Sequence, residues 1–180
     1  MKKQLILIAV FIFAVSISKA QSASGGSFLN LGVGFGTPFF GTGYSSSLPV
    51  NPVVSFEKSV ADEFSAGAEA AYASSNYNFS GYGLSYTFKE TAIYVGARGS
   101  YHFNKALGLG DKADLYAGAS AGYVVVSVSD NLGNAASAAS GVGYGGFVGA
   151  KYYFAPAIGV FAEAGYESLS YFKVGLAFKF

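Results

Sequence analysis

From residue 27 onward, the chain alternates apolar residues with small or polar ones over segments of about ten positions. Each segment is followed by a polar or Gly-rich break. A period of two is the period of a β-strand with two different faces. Eight segments fit this description: residues 27–36, 50–58, 64–76, 91–103, 115–126, 142–154, 158–167 and 171–180. The pattern predicts an all-β protein with eight antiparallel strands.

The two faces of the predicted strands differ in chemistry. One face carries Leu, Val, Ala, Phe and Tyr, whereas the other carries Gly, Ser and, by this assignment, every charged residue of the segments. The charged set on the second face has four members of each sign if the last two are included: Glu57, Glu69, Arg98, Lys151, Glu163, Lys173, Glu167 and Lys179. Equal numbers favour ion pairing among them.

Composition decides which face meets lipid. The chain is 52% hydrophobic and 12% charged, yet after residue 20 no apolar stretch approaches the length of a membrane-spanning helix. Apart from helices, only closed barrels pair every backbone group inside a bilayer. An outer face of apolar residues and a polar interior are typical of outer-membrane barrels. We therefore predict an eight-stranded antiparallel up-and-down transmembrane β-barrel; a lipocalin-like soluble barrel, with its charges outward, is the alternative.

The amino terminus has the features of a secretory signal peptide. Lys2 and Lys3 precede an apolar run over residues 5–15, and the small residues Ser18 and Ala20 precede Gln21. The run is shorter than a spanning helix, although a retained signal anchor is an alternative. We expect residues 1–20 to be cleaved, and residues 21–180 to form one barrel domain in the bacterial outer membrane.

Outward aromatic residues recur near both ends of several segments. They form pairs eight residues apart, which at the usual strand rise and tilt corresponds to about 21 Å across the membrane. This spacing is close to the distance between the two aromatic girdles of outer-membrane barrels. The pairs are Phe64 and Tyr72, Tyr144 and Tyr152, and Phe172 and Phe180.

Strand order also predicts which connections face outward. With the amino terminus in the periplasm, the long Gly- and Ser-rich stretches 37–48, 77–90 and 127–141 become external loops. The short connections 59–63 and 155–157 become periplasmic turns. Connection 104–114 is long for a periplasmic turn.

The last ten residues resemble the carboxy-terminal signature of outer-membrane barrels, in which apolar or aromatic residues occupy every second position before a terminal Phe. Segments 95–103 (VGARGSYHF), 115–123 (LYAGASAGY) and 160–166 (VFAEAGY) also resemble the small OmpA- and OmpX-type, or porin-family, barrel domains. The resemblance implies that the barrel-assembly machinery recognises the last strand. The signature residues are Phe172, Val174, Leu176, Phe178 and Phe180. Without an OmpA-type domain after them, no cell-wall tether is expected.

Motifs that carry chemistry have the wrong context here. Residues 141–146 match GxGxxG, but they open a strand and not a βαβ unit. Residues 118–122 match GxSxG, but they lie inside a strand. If Arg98 faces Ser120 across the hairpin, His102 faces Tyr116 and lies about 13 Å from Ser120. Asn78 begins a glycosylation sequon that we attribute to chance. We predict no enzyme activity, no catalytic residue, no cofactor and no metal site.

These observations leave three functions open. The first is a non-enzymatic outer-membrane barrel, plugged by its interior charges, that contributes to envelope structure and exposes its loops. The second is a small porin-like channel that conducts along the same charges, and the third is an adhesin or binding protein that acts through its loops. The partners expected are outer-membrane lipid and the assembly machinery, with the external ligand unknown. Residues 21–180 carry a net charge of 8 − 10 = −2, so no nucleic acid is expected.

Overall fold

The strands of the barrel are defined by a computed structural model that describes residues 26–36, 45–46, 50–81, 84–130, 135–137, 140–167 and 169–180. The predicted signal peptide, residues 1–20, lies outside these described ranges. Within them the strands are β1 Ser27–Phe35, β2 Ser45–Ser46, β3 Asn51–Ala61, β4 Phe64–Gly81, β5 Leu84–His102, β6 Ala113–Asp130, β7 Ala135–Ser137, β8 Gly141–Ala155, β9 Ile158–Glu167 and β10 Ser170–Lys179. One short helix, α1, spans Asn104–Leu107.

Eight of these strands form a closed ring in which each pairs antiparallel with its neighbours. The order around the ring is β1, β3, β4, β5, β6, β8, β9 and β10, and β10 pairs again with β1. That closing ladder runs from Phe28 opposite Lys179 to Phe35 opposite Phe172. The predicted eight-stranded up-and-down barrel is therefore confirmed. The short strands β2 and β7 lie outside the ring and pair with β4 and β6.

No helix among the described residues is both long and apolar enough to span a bilayer.

The wall of the barrel has an apolar exterior and a polar interior. Val95, Val148 and Val160 are 58%, 60% and 45% exposed, whereas the charged residues predicted to face inward on the strands are buried, except Lys179, which is half-buried. One charged residue departs from the predicted pattern, because Lys58 on β3 is exposed on the outer face. It lies four residues before the β3–β4 turn, where a long side chain reaches water from the rim of the barrel.

Glycines on the inner face make room for large aromatic rings. Gly149 lies opposite Tyr116 in the β6–β8 ladder, and Gly118 lies opposite Phe147 in the same ladder. A Cβ at either glycine would overlap the ring that faces it. The narrow lumen is thus filled by pairing a large residue with an empty position on the neighbouring strand.

The three longest strands are neighbours in the ring, and they extend one side of the wall. β4, β5 and β6 contain 18, 19 and 18 residues, whereas β9 and β10 contain 10 each. The prediction of an external loop over 77–90 was wrong. The β4–β5 ladder continues past Asn76 opposite Lys89 until Gly81 pairs with Leu84. Backbone pairing continues because the N–H and C=O groups of each strand are the hydrogen-bond partners of the other.

The predicted loop 127–141 is also partly strand. Residues 127–130 complete β6, and β7 pairs with them from Ala135 opposite Ser129 to Ser137 opposite Ser127. Of the predicted loop 37–48, only β2 is described, and it pairs with Ser75 and Asn76. The remainder of that loop lies outside the described residues.

The connection between β5 and β6 is folded and shorter than predicted. α1 ends at Gly108, which adopts the left-handed conformation (φ 62°) that favours glycine. The strand β6 then starts at Ala113, two residues before the predicted position. This early start places Asp114 inside a strand, with its side chain in the lumen.

Candidate functional site: the charged lumen

Arg98 is the centre of the interior charges. Its guanidinium lies 2.9 Å from Glu57 on β3, 2.6 Å from Glu69 on β4 and 2.6 Å from Glu163 on β9. β5 and β9 are not neighbours in the ring, so the pair with Glu163 crosses the lumen. The guanidinium carbon also lies 4.3 Å from the centre of the Phe147 ring. The Arg98 cation therefore links carboxylates on three strands, β3, β4 and β9.

Lys173 forms a second centre beside the first. Its ammonium lies 2.7 Å from Glu69, 2.7 Å from Glu167 and 3.7 Å from Glu163. Because it shares Glu69 and Glu163 with Arg98, the two centres form one continuous network. Tyr116 adds a hydrogen bond of 2.9 Å to Glu163. We call these groups the Arg98 network: Glu57, Glu69, Arg98, Glu163, Glu167 and Lys173.

A smaller cluster lies at the end of the lumen near α1. His102 contacts Asp114 through Nδ1 at 2.7 Å and the Ser65 hydroxyl through Nε2 at 2.9 Å. The ammonium of Lys151 lies 3.8 Å from Asp114 and over the rings of Phe28 and Tyr116. Since Ser65 also donates a 2.7 Å hydrogen bond to Glu57, this cluster is linked to the Arg98 network.

The sequence predicted eight interior charges, and the structure brings six of them together. Glu57, Glu69, Arg98, Glu163, Glu167 and Lys173 form the Arg98 network, whereas Lys151 lies with Asp114. Sequence reasoning missed Asp114 because it was assigned to a connection. Extending the alternation of segment 115–126 backward by one residue would have found it, since Asp114 has the parity of Tyr116 and Gly118. Lys179 is half-buried and forms no ion pair within the described part of the chain.

The Arg98 network contains more acids than bases. Four carboxylates surround two cations, so the predicted balance of charges does not hold there. Glu69, Glu163 and Glu167 bring oxygens within 4.8 Å of one another, which is a spacing that a metal ion can use. The Lys173 ammonium contacts all three carboxylates and supplies positive charge at that point.

An apolar layer covers the network on the side of the long hairpin. Its buried members include Val53, Ala71, Tyr94 and Val124 from the wall. Leu169, in the turn between β9 and β10, is 2% exposed and belongs to the same cluster. The turn is held by Asn51, whose amide donates a 2.7 Å hydrogen bond to the Leu169 carbonyl. The lumen thus has a charged middle and an apolar end.

Ser65, His102 and Asp114 form a chain of hydrogen bonds in the order of a hydrolase triad. The hydroxyl of Ser65 is bonded to Glu57 as well as to His102, and Ser65 is 3% exposed. Ser120 of the GxSxG motif lies opposite Arg98, and His102 lies opposite Tyr116, which is the register predicted from the sequence. The contacts of Ser65 therefore fit an interior hydrogen-bond network, since a nucleophile needs access to substrate.

Four residues of the carboxy-terminal signature lie on β10, and Phe180 directly follows it. Phe172, Leu176 and Phe180 are 42%, 46% and 68% exposed, and Val174 and Phe178 are half-buried. They occupy the outer face, whereas Lys173 and Ala177 lie inside. This strand also carries the ladder to β1 that closes the ring.

Comparison with solved structures gives the same architecture. The outer membrane protein OprG from Pseudomonas aeruginosa superposes with a TM-score of 0.51 and 12% identity, covering 87% of this chain and 96% of that one. The chain has the fold of the small outer-membrane β-barrels. The resemblance read from the sequence is thus confirmed at the level of the fold.

Two further solved structures match with lower scores. Neisserial surface protein A (NspA) and the attachment invasion locus protein Ail of Yersinia pestis each share 16% identity with this chain, with TM-scores of 0.49 and 0.48. Each match covers 87% of this chain and 96% of the other. No protein-family model and no curated protein matches the chain.

Proposed function

We propose that the protein is a non-enzymatic, integral outer-membrane barrel whose lumen is closed to ions and which contributes to the structure of the envelope. The cleaved signal peptide expected over residues 1–20 delivers it, and its apolar outer face contacts lipid. Recognition of β10 by the barrel-assembly machinery is part of the same proposal.

The observation that carries this proposal is the set of ion pairs across the lumen. Arg98 on β5 reaches Glu163 on β9, and Lys173 on β10 reaches Glu69 on β4. An eight-stranded barrel leaves an interior that side chains alone can fill. Because these charges are buried and form ion pairs with one another, they occupy the space that a conducting path would need. The apolar layer around Leu169 adds a second barrier.

The experiment is conductance in planar lipid bilayers, made with protein that shows the heat-dependent gel mobility of a folded barrel. We expect no steady conductance from the wild type or from a Lys58→Gln control, which alters a charge outside the lumen. Steady channels in the wild type whose conductance changes in Glu163→Gln would contradict the closed lumen and would support the porin-like alternative. Recovery of the protein in the soluble fraction of cells would contradict the membrane location.

A second function, surface binding, is favoured by the length of β4 and β5. Their ladder extends from Ala73 opposite Ala92 to Gly81 opposite Leu84, and β9 and β10 have no counterpart to it. We propose that this hairpin projects from the cell surface and presents a binding face. Joining Asn76 to Lys89 through an Asn-Gly turn removes its outer part and keeps the rest of the ladder. We expect cells that carry this variant to lose binding to the surfaces that wild-type cells bind, while the gel mobility of the barrel stays unchanged. Unchanged binding would contradict this second function.

A further inference from the structure

A cavity opens at the end of the barrel opposite the long hairpin. It has a volume of about 330 Å³ and lies among the β3–β4 turn, the β5–β6 connection and the last residues of β8 and β10. A second cavity of about 700 Å³ adjoins it and shares Asp111, Tyr153 and Lys179. The first volume is at the lower end of the range of ligand pockets, about 300–1,000 Å³, so the occupant is small.

The wall shared by the two cavities carries a buried hydrogen-bond donor without a partner and an ammonium group without an ion pair. The Tyr153 hydroxyl is buried and has no hydrogen-bond partner among the described residues. The Lys179 ammonium lies 5.8 Å from the centre of the Tyr153 ring and forms no ion pair within the same part of the chain. A buried polar group without a partner costs stability. A negatively charged acceptor would give the buried Tyr153 hydroxyl a hydrogen-bond partner and the half-buried Lys179 ammonium an ion-pair partner.

The outer rim of the cavity carries acidic groups. Asp62 and Asp111 are exposed and form no ion pair within the described residues. The exposed cations beside them are Lys105 in the first cavity and Lys112 in the second. Glu63 accepts a hydrogen bond of 2.9 Å from Tyr101. Deeper in the cavity, Asp114 is already held by His102. The unpaired acids therefore lie at the rim, where a positive group of the occupant would be stabilised.

We propose that this cavity binds a small zwitterion with one carboxylate and one ammonium group, an amino acid or a short peptide. The carboxylate contacts Tyr153 and Lys179, and the ammonium faces Asp62 and Asp111. That the cavity is reached from the periplasm rests on the function proposed above. The binding chemistry does not rest on it.

The test is isothermal titration calorimetry of the folded barrel in detergent micelles with L-alanyl-L-alanine and free L-alanine. Two capped ligands serve as controls: the N-acetylated dipeptide lacks the ammonium, and the dipeptide amide lacks the carboxylate. We expect both capped forms to bind at least about tenfold more weakly, as the loss of one charged contact predicts. The tighter of the two uncapped ligands identifies the occupant as an amino acid or a peptide.

Protein variants locate the site. Tyr153→Phe and Lys179→Gln are each expected to weaken binding about tenfold. Tyr152→Phe is the matched control because Tyr152 is 55% exposed on the outer face. The inference is overturned if the folded wild type shows no heat of binding at millimolar ligand, if the capped forms bind equally, or if Tyr153→Phe and Tyr152→Phe behave alike. None of these outcomes affects the bilayer conductance, so the two proposals fail separately.

Discussion

The substitution Arg98→Met removes the cation that three carboxylates share. The guanidinium lies 2.6–2.9 Å from Glu57, Glu69 and Glu163, and its side chain is 1% exposed. Removing one partner of a buried ion pair costs about 3–5 kcal/mol, because the remaining charge is left without compensation. The total stability of a domain is about 5–15 kcal/mol. We therefore expect Arg98→Met to lose a large part of the free energy of unfolding.

Glu163→Gln is the informative comparison. It removes a charge from the same ion pair but reduces the excess of acids around Arg98 and Lys173, and the amide still accepts hydrogen bonds from Arg98 and Tyr116. We expect a loss of only about 1 kcal/mol. Urea unfolding of the barrel in lipid vesicles, followed by gel mobility and circular dichroism, measures both variants, with Lys58→Met as the exposed control. Similar losses for the two lumen variants, or a loss below about 1 kcal/mol for Arg98→Met, would refute a buried network with an excess of acids.

Three other predictions use the same unfolding and gel assays. Gly149→Ala pushes a methyl group into a buried tyrosine ring and should cost about 1–3 kcal/mol, whereas Gly146→Ala, exposed on the outer face, should cost little. Asn51→Ala leaves the Leu169 carbonyl without its 2.7 Å hydrogen bond and should cost about 1–3 kcal/mol, with unchanged stability contradicting it. Phe180→Ala should lower the yield of heat-modifiable barrel in cells without changing the unfolding curve of refolded protein; an equal yield would argue against β10 as an assembly signal.

The alternation of residues was enough to predict the wall of the barrel. A period of two assigns each residue to one face, and the charge of Glu69, Arg98 or Lys173 then identifies the inner one. The hairpin register that places Arg98 opposite Ser120 also followed from the sequence, because a turn centred near residue 109 aligns β5 and β6 symmetrically.

Strand ends and contacts across the lumen were beyond that reasoning. Residues 77–81 and 84–90 contain four Gly, Ser or Asn residues among twelve, and five are Tyr, Phe or Thr, which favour strands. The prediction of a loop gave too much weight to the former, and the mutual pairing of the two stretches makes them strands. Asp114 was missed because its strand was predicted to start at residue 115, whereas pairing to β8, where Asp114 lies opposite Lys151, extends β6 back to residue 113. The sequence separation of 104 residues between Lys173 and Glu69 gives no sign that they touch.

The Arg98 network also has a consequence for the register of the closed barrel. A slip of β10 by one residue turns every apolar side chain into the lumen, so the alternation alone excludes it. A slip by two residues preserves both faces and is not excluded in this way. It would, however, move Lys173 about 7 Å along the strand, away from the Glu69 carboxylate that it contacts at 2.7 Å. The apolar pattern therefore excludes a slip by one residue, and the buried charges exclude a slip by two. Both are needed for β10 to close against β1 in one register.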